Sequence, residues 1–129
     1  MDITIPVQHQ KRLSLYDAII TCGLDGCLTL FSEEEWEGVI YRFDNLCSSK
    51  KASRHLIRFI NLMKQGAVKT KIRKGGKITI PDYLKQYAKI KKEMLFIELS
   101  NHLEIWAEEE FEKYRDRRHL EKIVSSRVG

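Results

Sequence analysis

No apolar run in the 129 residues of this chain approaches the ~20 that a membrane-spanning helix needs. The N-terminus lacks a basic segment followed by an apolar one, so nothing reads as a signal peptide, and a cytoplasmic location is the expectation. Cysteine is scarce: only Cys22, Cys27 and Cys47 are present. An odd count argues against a disulfide framework. Cys22 and Cys27 are also too far apart for the usual close zinc-ligand pair, and no paired histidine spacing accompanies them. Reduced, partly buried thiols are the expectation, with no metal. The four histidines (His9, His55, His102 and His119) are scattered, and none pairs with a Ser or Cys in a recognisable nucleophile motif. Gly75-Gly76 lacks the spacing of a phosphate-binding loop. Neither an enzyme nor a cofactor is expected, and a small-molecule substrate has no evident site.

What the chain does contain is itself, twice. Ile3-Thr4-Ile5-Pro6 recurs as Ile78-Thr79-Ile80-Pro81. At the same offset, without a gap, Glu33-Glu34-Glu35-Trp36-Glu37 recurs as Glu108-Glu109-Glu110-Phe111-Glu112. The apolar positions between these anchors also align: Leu15 with Ile90, Ile19 with Met94, Ile20 with Leu95, Leu28 with Leu103, Leu30 with Ile105, and Phe31 with Trp106. One supersecondary unit was duplicated. Each half is near the size at which a core is marginal, so the halves are expected to share one.

Local patterns predict the elements. Ile3 to Pro6 reads as the end of a strand, and residues 7 to 17 as a short helix and loop. Ala18 to Cys22 and Leu28 to Phe31 flank the turn-rich Gly23-Leu24-Asp25-Gly26 and read as a hairpin. Ser32 stands three residues before Glu35, a capping-box spacing, and predicts a helix over Glu33 to Phe43. The acidic triplets therefore suit helix starts better than catalysis. Lys51 to Lys64 carries a stripe of Leu56, Phe59, Ile60 and Met63, and Gly66 is placed to end this connecting helix. Val68 to Arg73 alternates, and Gly75-Gly76 suggests a tight turn into a paired strand over Lys77 to Pro81. A short helix over Asp82 to Ala88, a hairpin of Met94 to Leu99 with Leu103 to Trp106, and a final helix from about Ala107 to Val124 follow. Trp36 and Phe111 are expected in the core.

The formal net charge is +5, which favours an anionic partner. The sharpest local signal is Val68-Lys69-Thr70-Lys71-Ile72-Arg73. On a strand Lys69, Lys71 and Arg73 share one face, and Lys74 and Lys77 bracket the glycine turn. Such a ribbon suits a phosphate backbone, and a two-stranded ribbon fits the DNA major groove. A solvated edge strand guarded by lysines is the plainer alternative. The DNA-contact candidates are Lys69, Lys71, Arg73, Lys74 and Lys77.

Lys74-Gly75-Gly76-Lys77-Ile78-Thr79-Ile80-Pro81, a short helix, and a hairpin ending in His102-Leu103-Glu104-Ile105-Trp106 together resemble the second half of the MraZ family. Gly23-Leu24-Asp25-Gly26-Cys27-Leu28, followed by Phe31 and Glu35-Trp36, resembles its first half. The resemblance covers nearly the whole chain. It implies an α/β (α+β) protein made of tandem, duplicated AbrB-like swapped-hairpin β-barrel halves with connecting helices. It also implies a homo-oligomeric ring and a DNA-binding transcriptional regulator of the division and cell-wall gene cluster, cytoplasmic and nucleoid-associated. The expected organisation is a first half over residues 1–47, a connecting helix over 48–66, a second half over 67–115 and a helical tail over 116–129. The family's loop reads Asp-x-x-Gly-Arg. Here Arg73 stands for the Asp and Lys77 for the Arg, and Met1 aligns with Gly76, as though the start were truncated. The strand at Ile3 is therefore expected to lack a partner. A ring-forming scaffold that has lost operator recognition is the alternative function.

Overall fold

The computed structural model describes residues 1–11, 13 and 17–128. The architecture is α+β. Strand β1 (Asp2–Thr4) leads into the short helix α1 (Val7–Gln10), and the hairpin β2 (Asp17–Cys22) and β3 (Leu28–Ser32) runs into helix α2 (Glu33–Cys47). Helix α3 (Arg54–Gly66) connects to β4 (Val68–Lys71). The same series then repeats: β5 (Lys77–Thr79), α4 (Asp82–Ala88), the hairpin β6 (Met94–Glu98) and β7 (Leu103–Ala107), and α5 (Glu108–Val128). Leu15 and the side chain of His119 lie outside the described residues.

Several local rules act as the sequence implies. Ser32 Oγ accepts the Glu35 amide at 3.1 Å while Glu35 Oε1 accepts the Ser32 amide at 2.9 Å, so both arms of the capping box are closed. Helix α2 runs on to Cys47, past the expected end at Phe43. Ser53 caps α3 by accepting the Leu56 amide at 3.1 Å. Of the α3 stripe, Ile60 and Met63 are buried, whereas Leu56 stays exposed at the helix start. The aligned aromatics pack as a pair of equivalents: Phe31 against Trp36 at 5.3 Å, and Trp106 against Phe111 at 5.5 Å between ring centroids.

The strands form a five-stranded antiparallel sheet in the order β4-β2-β3-β7-β6 and a separate two-stranded ribbon of β1 and β5. The ribbon corrects the expectation for the N-terminus. β1 is paired along its length with the strand that repeats it, Asp2 opposite Thr79, Ile3 opposite Ile78 and Thr4 opposite Lys77. The pairing extends outward through Ile5 N–H to Gly76 O at 2.9 Å and Ile80 N–H to Met1 O at 2.7 Å. β4 was expected to pair with residues 77–81. It instead lies along β2, Lys69 opposite Ile19 and Thr70 opposite Ala18, and meets the other side of its turn only at the Arg73–Lys77 bridge. The physical reason is burial. Ile3, Ile5, Ile78 and Ile80 all point inward and are essentially inaccessible, so the two like strands cover one another across the pseudo-twofold. Strands exchanged between halves, with β3 also bonded to β7, build one continuous core.

Candidate nucleic-acid interface

The alternation read from residues 68–73 is present. Thr70 is buried and Val68 and Ile72 are half-buried, whereas Lys69, Lys71 and Arg73 are exposed. Among the described residues β4 is an edge strand, and Lys69 and Lys71 lie on its solvent-exposed face. Lys74 sits in the turn and Lys77 opens β5, both exposed. The turn closes through Gly76 N–H to Arg73 O at 3.0 Å and Arg73 N–H to Lys77 O at 2.8 Å. Gly75 and Gly76 take φ of +84° and +81°, a region that L side chains avoid.

The turn is tied to the rest of the protein from the first repeat. Gln10, on α1, donates its amide to Ile5 O at 2.8 Å and to Gly75 O at 3.3 Å. A Cβ on Gly76 would lie 2.9 Å from Ile5 O, so the backbones approach too closely for any side chain. On the other side of the ribbon Thr70 donates its hydroxyl to Thr79 O at 3.4 Å, joining β4 to β5. The basic turn therefore stands on a scaffold assembled from both halves.

The five candidate cations are not equivalent. Lys69 Nζ lies 2.7 Å from Glu33 Oε1, and that hydrogen bond raises the ammonium above its ordinary range. Arg73 Nη2 lies 3.1 Å from Asp2 Oδ1 and donates to Thr79 Oγ1 at 3.2 Å, while Thr79 donates to Asp2 at 2.8 Å. The Asp2 carboxyl is held below its usual range, first by the Thr79 hydroxyl and then by Arg73. Lys71, Lys74 and Lys77 carry no ion pair among the described residues. Lys71, Arg73, Lys74 and Lys77 gather around the turn, and Lys69 is drawn toward the start of α2.

Three residues of this site escaped the sequence reading: Asp2, Gln10 and Glu33. Asp2 supplies from the opposite strand the carboxylate that Arg73 pairs with. The repeat held the signal, because pairing Ile3 with Ile78 sets Asp2 directly opposite Thr79. The thiols stand apart from this face. Cys22 and Cys27 are buried and form no disulfide, and burial pushes both thiols up, Cys27 the further.

Comparison with known proteins completes the description. The family model for MraZ protein, described as antitoxin-like, matches residues 3–59 and 63–126, one segment on each half. A "Transcriptional regulator MraZ" of Caldanaerobacter subterraneus subsp. tengcongensis is 36% identical over 112 residues, covering 87% of this chain and 76% of the relative. One from Thermoanaerobacter sp. is 38% identical over 112 residues, with the same coverage of each chain. One from Thermoanaerobacter pseudethanolicus is 41% identical over 96 residues, 74% of this chain and 65% of the relative.

Proposed function

The chain belongs to the MraZ family, and from that premise we propose that it is a transcriptional regulator that grips DNA with the turn between β4 and β5. The observation that supports this reading is the exposed cluster of Lys71, Arg73, Lys74 and Lys77 on a turn held rigid by Gln10 and by the exchanged β1 strand. Among the described residues Lys71, Lys74 and Lys77 have no ion pair to break before meeting phosphates. Arg73 joins them by exchanging the exposed Asp2 carboxylate for a phosphate, and exposed pairs of this kind cost little to open. Lys69 contributes charge at longer range while Glu33 holds it. In this reading the protein acts in the cytoplasm at the nucleoid and regulates the division and cell-wall genes. Its residues 1–47 and 67–115 serve as the two halves of one binding body.

The experiment is DNA binding measured against salt with fragments from the gene's own neighbourhood. Each phosphate contact contributes about 0.9 to the slope of log affinity against log salt. Changing Lys71 and Arg73 together to Ala should therefore flatten the slope by roughly 1.8. Unchanged affinity and slope in the double variant would remove the turn as the contact surface. A second reading, a ring-forming scaffold without operator recognition, is favoured by the two neutralised cations, Lys69 on Glu33 and Arg73 on Asp2. Under it the wild type forms a homo-oligomer in light scattering and yet prefers no DNA fragment over another.

A further inference from the structure

The two halves fill one place differently. The offset that carries Ile3 onto Ile78 also carries Phe31 onto Trp106 and Val39 onto Tyr114. In the second half the larger pair meets ring to ring at 4.9 Å between centroids, and Trp106 is buried. In the first half the smaller pair lines an open cleft of about 410 Å³. β3, β7, α2 and α3 all contribute to its lining, together with the tips of both hairpins. Protein interiors are close-packed, and apolar side chains left against water forfeit contacts and burial. The second half shows that aromatic side chains at these positions pack against one another, yet the first half keeps the cleft.

The lining has the composition of a small-molecule site. Phe31, Phe43, Phe59 and Met63 make it apolar and largely aromatic. Leu24, Leu56 and Leu99, which also line it, are 62%, 38% and 39% exposed and stand at its solvent side. Such sites span ~300–1,000 Å³ and carry few polar groups. The polar groups here are unequally engaged. Glu104 Oε1 accepts the Trp106 indole N–H at 3.0 Å, and its Oε2 lies 3.5 Å from His102 Nε2. His102 Nδ1 lies 2.7 Å from Asn101 Oδ1. Arg42, by contrast, is exposed and has no ion pair among the described residues. Lys50, Lys51, Arg54 and Arg58 follow it and are exposed as well, and the one acid of residues 42–58, Asp44, is paired with Lys64. The charge on offer beside the cleft is positive.

We propose that this cleft binds a small aromatic monocarboxylate. Its ring system enters among Phe31, Phe43, Phe59 and Met63, where offset ring contacts and sulfur–ring contacts are available. Its carboxylate stays at the solvent side and pairs with the Arg42 guanidinium, whose fork can hold both oxygens. Glu104, ionised and already engaged, disfavours a second negative group, so the ligand carries one. The site is separate from the basic turn, and neither reading depends on the other.

The probe is 2-naphthoate, titrated calorimetrically into the full chain at several protein concentrations. Saturable one-to-one binding is expected. The neutral isostere 2-naphthamide, and separately the Arg42→Gln variant, should each weaken binding about two- to fivefold, the size of an exposed ion pair. The two losses should not add, because both remove the same pair. Val39→Tyr installs the side chain that the repeat carries at this place, and it should abolish binding of acid and amide alike. Leu56→Trp narrows the cleft from its exposed side without touching the core and should weaken both in the same direction, which keeps the test open if Val39→Tyr fails to fold. No binding of naphthoate to the wild type overturns the proposal. Equal affinity for the acid and the amide overturns the choice of an anion, and wild-type affinity in the folded filling variants overturns the cleft. Binding that appears only on dilution of the protein would give the cleft to a second copy of the chain instead.

Discussion

Gly75 and Gly76 stand side by side in the basic turn with nearly the same φ, so replacing each by alanine separates two costs that are normally mixed. At Gly75 a Cβ meets nothing within 4 Å. The alanine there pays only for a left-handed backbone, about 1 kcal/mol. At Gly76 the same conformational cost applies, and the new Cβ would run into the Gln10 side-chain amide as well as sitting 2.9 Å from Ile5 O. The backbones must separate, which strains or breaks the bond from Ile5 N–H to Gly76 O and disturbs the Gln10 amide that also uses Ile5 O. One backbone hydrogen bond is worth about 1 kcal/mol net, and a buried group left unpaired about 1–3. Gly76→Ala should therefore cost roughly 2–4 kcal/mol against about 1 for Gly75→Ala. Urea denaturation of both variants gives the difference directly, provided the m-value is unchanged. Equal losses in the two variants would refute the close approach of β1 to the turn, and with it the view that the first repeat buttresses the basic loop of the second.

Other consequences can be measured with the same protein. Ser32→Ala removes one arm of the capping box and should destabilise by about 1 kcal/mol in denaturant, with the loss confined to stability and absent from DNA affinity. Thr21 is fully buried and donates its hydroxyl to Met63 O at 2.7 Å, so Thr21→Val should cost about 1–3 kcal/mol by leaving that carbonyl unpaired at the end of α3. Glu104 is held below its ordinary 4.5, first by the His102 hydrogen bond and then by Trp106. Its contribution is complete above that ordinary value and disappears as pH falls below it, so acid titration of stability should be shallower in Glu104→Gln. Asp2→Asn frees Arg73 of its carboxylate and should tighten DNA binding at low salt, an effect that fades as salt rises.

Much of the secondary structure was legible because its causes are local. The Ser32/Glu35 spacing, the apolar stripe of α3 and the run over Asp82–Ala88 each act within a turn or two of the chain, whereas Gly66 stays inside α3 and the extended Ala67 ends it. Sheet partners are a different matter. The alternation in residues 68–73 says which side chains share a face but not which strand lies alongside, and a nearby turn made β5 the natural guess. Two other strands compete for those edges: β2, whose outer edge β4 closes, and β1, whose isoleucines cover those of β5. That choice is made by burial summed over both halves. The contact face was legible as a set of cations, whereas their ion pairs were not. Glu33 reaches Lys69, and Asp2 reaches Arg73, only after distant segments have been brought together. The duplication itself offered one hint, since identical strands related by a pseudo-twofold can always satisfy each other.

The exchange of β1 has a consequence for how this protein is made. Its first strand is synthesised well before its partner, since Asp2 must wait for Thr79. At about 5–20 residues per second a nascent chain would hold that strand unpaired for roughly 4–15 s. During that interval Ile3 and Ile5 have no Ile78 and Ile80 to cover them, and β2 has no β4. The first half cannot finish on the ribosome ahead of the second, and both must close together once the repeat has emerged. Folding then depends on contacts between residues far apart in the chain, which are slow to form. A nascent chain stalled between α3 and β5 would present the apolar face of β1 to whatever chaperone or neighbouring ribosome product is within reach.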